Sequence, residues 1–367
     1  MSKLSTDSYK GVRDFYPEDQ FIQNYINAIW RTTVERFGYE EYGASILEHT
    51  EIYTEKSGEQ IVNEQTFTFT DRGGRSVTLR PEMTPSVARM LAHKRRELGF
   101  PLRWYSIPNL FRYEATQRGR LREHWQLNAD LFGLSGIEAE VEVIQLAYQI
   151  MRNFGAKDED LEIRLNYPTG TDSDLEKLMD KLREIGITNT KIDKTLARGQ
   201  AYYTGAVFEF FDTNPENNRS ILGGGRYDNL TSLFGDSELP AVGFGCGDVT
   251  TRDFLETHKL LPEYRPSTMI AVLPTEEKVL GEVWKVAMSL RMSGYNVSVD
   301  WSMKKLGDMI KNADKLHIPF VMVVGEDELK SKKFKVKNLK TGEEKEVNFE
   351  EKPHEHKHKH EGHDHNH

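Results

Sequence analysis

The sequence predicts an α+β protein in two parts, an antiparallel sheet interleaved with helices and then a small α/β domain. Three observations predict it. In the first two thirds of the chain, pairs of segments with period-two alternation are interleaved with stretches of helical spacing. The segment Pro262-Glu263-Tyr264-Arg265-Pro266-Ser267 reads as a linker. Beyond it strands and helices take turns, the rhythm of a mostly parallel sheet. The predicted boundaries are a first domain over 1–261, with a shortened insertion at about 166–195, a second over 262–350, and a His-rich tail over 351–367.

After Pro17, the apolar positions Phe21, Ile22, Tyr25, Ile26 and Ile29 recur at helical spacing, predicting a helix that runs to about Phe37 and ends at Gly38. Thr66 to Thr70 and Ser76 to Arg80 both alternate with period two around the turn residues Asp71-Arg72-Gly73-Gly74, which predicts a hairpin. A helix follows from Pro85 to about Leu98. Arg103 to Tyr113 and His124 to Gly133 form the next strand pair, joined by an arginine-rich loop, and a helix spans about Glu138 to Asn153. One helix, Asp174 to Ile185, is predicted between Leu165 and Thr195. Strands resume at Val207 to Phe211 and Ala241 to Gly245. In the second domain the order is strand (Met269 to Leu273), helix (Val279 to Met292), strand (Asn296 to Val299), helix (Lys304 to Leu316) and strand (Phe320 to Val324). An alternating pair near Phe334 to Lys337 and Lys345 to Phe349 completes it.

Composition narrows the function classes. A chain of 367 residues is long enough for two cores, and no stretch approaches the roughly 18 apolar residues of a membrane span. The N-terminus lacks the apolar core of a signal peptide, and Cys246 as the single cysteine excludes an internal disulfide framework, so the cytoplasm is the expected compartment. The net charge of -9 argues against coating nucleic acid with the whole surface, but Lys94-Arg95-Arg96, Arg118 to Arg122 and the six lysines between Lys330 and Lys340 are locally basic. Each of these also fits a solvated surface. Seven of the twelve histidines lie in the tail, where a divalent metal, an expression tag and a passive tail all remain open readings; no catalytic or metal-binding role is assigned there.

Five segments carry chemistry. Leu196-Ala197-Arg198-Gly199-Gln200-Ala201-Tyr202-Tyr203-Thr204-Gly205 joins a lone arginine to two tyrosines. Gly223-Gly224-Gly225-Arg226-Tyr227-Asp228 offers either a tight turn or a bare backbone on which a flat ligand can lie. On a strand, Arg112 and Glu114 share a face, and an arginine fork there can grip a phosphate bidentately, although an ion-paired hairpin is the structural alternative. Thr78-Leu79-Arg80-Pro81-Glu82-Met83-Thr84 precedes a helix. In the second domain Lys333, Lys335 and Lys337 alternate with Phe334 and Val336, which places three cations on one strand face.

Together these segments resemble the signatures of histidyl-tRNA synthetases, over roughly residues 9 to 349, with the second domain similar to the anticodon-binding domain of several class II enzymes. The resemblance implies ATP-dependent activation of histidine and its transfer to tRNA(His), with Mg2+ accompanying ATP and a homodimer as the assembly. It gives Arg112 and Arg198 to the reacting phosphate, and Arg112, Glu114, Gly224 and Arg226 to ATP. Glu82, Thr84, Gln126, Asp130, Tyr202 and Tyr203 are the expected histidine contacts. Gln117, Arg118, Arg120, Lys333, Lys335 and Lys337 are the expected tRNA contacts.

The chain departs from the family pattern in several places. Thr250 stands where an arginine is usual near the end of the third motif, and Arg252 is about 200° further around a helix. Ala201, Ala115 and Ser45 replace an aspartate, an arginine and a proline, and the insertion is cut to about one helix. Thr250, Ala201 and Ala115 fit a rival class, a non-catalytic relative that senses histidine as the regulatory subunit of ATP phosphoribosyltransferase does. The retained Arg112, Arg198 and terminal lysines fit the ligase. A synthetase for another amino acid is disfavoured by Tyr202-Tyr203.

Overall fold

The computed structural model describes residues 4–57, 65–196 and 203–348, which divide into two compact units between Pro262 and Glu263. The first unit opens with α1 (Pro17–Arg36), β1 (Glu40–Glu41), β2 (Leu47–His49), α2 (Glu51–Ser57), β3 (Phe67–Thr70), β4 (Ser76–Leu79) and α3 (Thr84–Lys94). It continues with β5 (Leu102–Ser106), β6 (Asn109–Phe111), β7 (Glu123–Phe132), α4 (Glu138–Asn153), β8 (Leu161–Asn166), α5 (Asp172–Glu184) and β9 (Thr190–Ile192). The strands β10 (Val207–Asp212), β11 (Ser220–Arg226) and β12 (Ala241–Gly247) and the helix α6 (Asp248–Thr257) close it. Pro17 at the first turn of α1 needs no N–H partner, and Gly38 takes φ of 80° just past the helix, so proline starts and glycine stops it.

The main sheet runs β1-β5-β7-β12-β11-β10-β8-β9, with β6 added to β7. Its middle is antiparallel, while β1 with β5 and β8 with β9 are parallel at the edges. Alternation along β7 sets the two faces. Leu127, Ala129 and Leu131 enter the core with Trp30, Ile144, Ala147 and Phe254 from α1, α4 and α6, so Gln126, Asn128 and Asp130 are left on the other face. A second, three-stranded sheet, β2-β4-β3, is tied by hydroxyl bonds from Thr78 to Thr50 (2.9 Å) and to Thr68 (2.8 Å).

Two expectations for this unit change. Between Leu165 and Thr195 the helix is present as α5, but β9 also forms, pairing in parallel with β8 through Ile163↔Thr190 and Leu165↔Ile192. Three residues with a polar start show no alternation to read, and their partner lies some thirty positions away. The glycines 223 to 225 form no turn: they are the centre of β11, held between β10 and β12. A Cβ at Gly224 would drive into the Gly243 carbonyl and Phe244, so the bare backbone is what lets the two strands approach.

The second unit comprises β13 (Ile270–Pro274), α7 (Leu280–Met292), β14 (Val297–Val299), α8 (Leu306–Lys315), β15 (Phe320–Val324), α9 (Glu326–Ser331), β16 (Lys333–Asn338) and β17 (Glu344–Asn348). Its sheet order is β14-β13-β15-β16-β17. Two of the four pairings are parallel and two antiparallel, so the sheet is mixed rather than mostly parallel. The short connection from β16 to β17 allows only a hairpin. Ile270, Val272, Val283, Leu290, Met322, Val324 and Phe334 form one core of this unit.

Candidate active site

One cavity of the first unit gathers polar side chains from four places. It is lined by Glu82 and Thr84 before and at the start of α3, Arg112 just after β6, Gln126, Asn128 and Asp130 of β7, and Tyr203, Gly223, Tyr227, Gly243 and Gly245. A larger hollow, about 520 Å³, lies in the second unit, but its lining is mostly apolar, with Met269, Leu290, Tyr295, Phe320 and Val336. The concentration of titratable groups is in the first.

The strand register explains how the floor is made. Asp130 sits opposite Gly243, and Asn128 opposite Gly245, which in turn faces Gly223. A Cβ at Gly243 would strike Asp130 Oδ1, and one at Gly245 would strike Gln126 Nε2. The two glycines therefore let polar side chains of β7 lie flat across β12. Asp130 is buried, and the Tyr227 hydroxyl donates to its Oδ1. Burial pushes the Asp130 carboxyl up to about 7, and the Tyr227 bond only partly opposes this.

The wall is fixed by a second arginine. Arg80 is buried and donates from Nη1 to the Ala44 carbonyl (2.7 Å) and from Nε to the Asn109 carbonyl (3.1 Å). Those bonds, with the Phe111 N–H on the Arg80 carbonyl (3.0 Å), lock the segment that carries Glu82 and Thr84. Arg112 Nε donates to the Pro81 carbonyl at 2.9 Å, which joins this segment to the arginine-rich loop. Beneath it His124 is held neutral, pushed down to about 3 by burial and then by Arg112 and Arg13. Asp248, at the start of α6, is buried against Arg13 (2.6 Å) and accepts the Trp125 N–H (3.0 Å), so it braces β7 from behind.

The sequence-predicted residues divide into three groups. The cavity brings together Glu82, Thr84, Arg112, Gln126, Asp130 and Tyr203. Arg198 and Tyr202 lie outside the described residues. Glu114, Gly224 and Arg226, expected on ATP, are placed elsewhere. Glu114 forms an ion pair with Arg120 across the loop. Gly224 faces the strand contact already described. Arg226 is a correction: it is buried on the core face, with Nε and Nη2 on the Glu140 carboxylate (2.5 and 2.6 Å) and further bonds to the Leu134 and Gly136 carbonyls. Strand parity is the reason, because Gly223 and Tyr227 line the cavity and Arg226, an odd number of positions from each, must then turn away.

The expected RNA contacts are also partly engaged. Gln117 and Arg118 are exposed at the loop tip, where Arg118 Nη2 donates to Asn217 Oδ1 (2.9 Å). Lys333 and Lys335 are exposed while Phe334 is buried, as the alternation requires, yet Lys333 pairs with Glu346 (2.9 Å) and Lys337 with Glu344 (3.4 Å). The glutamates of β17 thus offset part of that positive face. Sequence reading missed Asn128 and Tyr227. The first was findable by parity, two positions from both Gln126 and Asp130; the second lies inside a quoted motif but needed β11 to be read as a strand.

A family profile described as Histidyl-tRNA synthetase matches residues 11–169 and 165–247, and one described as Anticodon binding domain matches residues 269–358. The chain is 35% identical to a histidine–tRNA ligase of Leptospira biflexa, with 95% of this chain and 97% of the relative covered. It is 33% identical to the histidine–tRNA ligase of Thermoplasma volcanium, covering 94% and 96%. Among solved structures, apo S. aureus histidyl-tRNA synthetase superposes with a TM-score of 0.81 at 26% identity, covering 95% and 97%. An ATP phosphoribosyltransferase regulatory subunit/histidyl-tRNA synthetase from Bacillus halodurans gives 0.71 at 20% identity, covering 88% and 99%, a likeness of fold.

Proposed function

This chain belongs to the histidyl-tRNA synthetase family, and on that premise we propose that it activates histidine with ATP and transfers it to tRNA(His). The observation that carries the reading is the row Gln126, Asn128 and Asp130 laid across two glycines beside Arg112. Such a row suits a small polar side chain with two ring nitrogens, and Arg112 suits the phosphate next to its carboxylate. The histidine-sensing regulatory alternative is less supported, since its named structural relative is the more distant of the two described.

In this mechanism the histidine carboxylate attacks the α-phosphate in line, and no protein nucleophile is needed. Arg112 meets charge on that phosphate, and Arg198 is proposed as the second cation. Glu82 and Thr84 receive the amino group. Gln126, Asp130, Tyr203 and Tyr227 take the ring, and a competitor lacking its nitrogens would leave them unpaired. Magnesium is proposed to arrive with ATP, since among the described residues no group of three or more His, Cys, Asp and Glu side chains forms a cage. That fits an ion held mainly by phosphate oxygens and water. When bound it neutralises charge on the pyrophosphate side. The tRNA contacts proposed are Gln117, Arg118 and Arg120 for the acceptor end, with Lys333, Lys335 and Lys337 in the second unit. A homodimer and a cytoplasmic location complete the proposal; among the described residues no helix is long and apolar enough to cross a membrane.

Histidine-dependent exchange of pyrophosphate into ATP, repeated with other amino acids and followed by charging of tRNA, tests the reading. Absence of histidine-dependent exchange would overturn it. Arg198→Ala is expected to keep the fold and lose exchange by about 10²; near-normal exchange would remove Arg198 from the mechanism.

Asp130 gives a pH test. Its carboxyl, raised to about 7, is protonated in the empty cavity below that pH and ionised above it. The ionised form accepts from a ring N–H, so histidine binding should tighten as pH rises through about 7. The KM for histidine, taken as the ratio of Asp130→Asn to wild type, cancels the titration of the substrate itself. That ratio is expected to rise severalfold across neutrality, and a flat ratio would detach Asp130 from the ring.

A further inference from the structure

The turn at the tip of the arginine-rich loop is packed on an arginine to which no role has been assigned. Gln117 and Arg120 exchange backbone bonds (3.1 and 2.9 Å), and Gly119 between them takes φ of 72°. A Cβ at Gly119 would lie 2.8 Å from Cδ of Arg219 and 3.4 Å from Cγ2 of Thr250. The stem of Arg219, one residue before β11, therefore runs between the loop tip and the first turn of α6.

The head of that side chain makes no ion pair among the described residues. Arg219 is half-buried, and no ion pair or side-chain hydrogen bond joins it to a carboxylate among the described residues. Burial, and then the neighbouring Arg219 and Arg112 guanidiniums, lower the pKa of Arg120. Three guanidiniums thus share one region, with the Glu114 carboxylate on Arg120. Glu216 and Asp253 also border the hollow beside Arg219, and Asp253 is drawn to Arg118 first among the cations. Like charges held this close raise each other's energy and call for a polyanion between them.

Thr250 cannot fill that role. Its hydroxyl donates to the Ile221 carbonyl at 2.9 Å, so it is spent on backbone. Yet this is the position at which an arginine was expected from the family pattern. Arg219, one residue before β11, lines the same small hollow as Thr250.

We propose that Arg219 holds the terminal phosphates of ATP, and so acts as the phosphate-binding cation that position 250 lacks. The proposal rests on the ligase reading above. It concerns the pyrophosphate end of the nucleotide, whereas Arg112 faces the end next to the amino acid.

The test uses the full-length protein and pyrophosphate exchange without tRNA. Arg219→Met keeps the stem that packs on Gly119 and deletes the charge; Arg219→Lys keeps a charge and loses the fork. Arg219→Met is expected to raise the KM for ATP and for pyrophosphate by about tenfold to a hundredfold, with the KM for histidine within twofold of wild type and Arg219→Lys in between. Unchanged KM values for both ATP and pyrophosphate would overturn the proposal. So would normal exchange accompanied by a loss of tRNA charging, which would give Arg219 to RNA phosphate. An equal rise in all three KM values would mark a structural role and would overturn it too. Wild-type enzyme without histidine-dependent exchange would instead defeat the ligase reading.

Discussion

Arg112→Ala is expected to lower histidine-dependent pyrophosphate exchange by about 10² to 10³ while leaving the fold intact. The side chain lies in the cavity, and its one hydrogen bond among the described residues runs from Nε to the Pro81 carbonyl, at 2.9 Å. That bond orients the fork, and the terminal nitrogens make no hydrogen bond or ion pair among the described residues. Losing it costs about 1 kcal/mol of stability, the net worth of an ordinary hydrogen bond. Losing the fork removes a donor aimed at charge that grows only in the transition state, so the fall should appear mainly in kcat. Arg112→Lys should recover little, because one ammonium cannot reach both Pro81 and two phosphate oxygens. Thermal unfolding should place both variants close to wild type. Exchange above about a tenth of wild type in Arg112→Ala would show that the phosphate is stabilised elsewhere.

Much of the scaffold was legible because local pattern and tertiary burial agree. Residues from Val141 to Met151 have one apolar stripe, and the helix spans Glu138–Asn153 with Val143, Ile144, Ala147 and Ile150 wholly buried. The hairpin of β3 and β4 was readable for the same reason: period two on both sides of Asp71-Arg72-Gly73-Gly74, whose Asp71 caps its own turn through the Gly73 N–H (2.8 Å). Glycines behave differently. Gly223 to Gly225 have no side chain to show which face is buried, and their strand exists because β10 and β12 hold it from either side. Once that strand was hidden, its parity was hidden too, which is why Arg226 was assigned to the nucleotide and Tyr227 was not assigned to the cavity. The contact between Arg219 and Gly119 joins positions a hundred residues apart and has no local signal at all.

Glu140→Ala should be among the most damaging single changes in the first unit, at about 3 to 5 kcal/mol, because it leaves a buried guanidinium with only the longer contact to the Asp228 carboxylate. The side chains of Arg226 and Glu140 are only 6% and 5% exposed, and they meet in a two-pronged pair of 2.5 and 2.6 Å. The Leu134 and Gly136 carbonyls, each at 3.2 Å, and the Asp228 carboxylate, at 3.4 Å, take the remaining donors, so the cluster ties β11 to α4 and to the loop that precedes it. A buried pair of this kind need not add stability over apolar side chains of similar size. The paired change Arg226→Met with Glu140→Leu should therefore regain most of what Glu140→Ala loses, as followed by denaturant unfolding of the first unit. The same double variant separates two roles for Arg226. If the arginine only braces the sheet, the refolded double variant keeps the wild-type KM for ATP in pyrophosphate exchange. If it meets the nucleotide, the variant folds and yet binds ATP poorly, and the placement of Arg226 on the core face would have to give way to a rearrangement on binding.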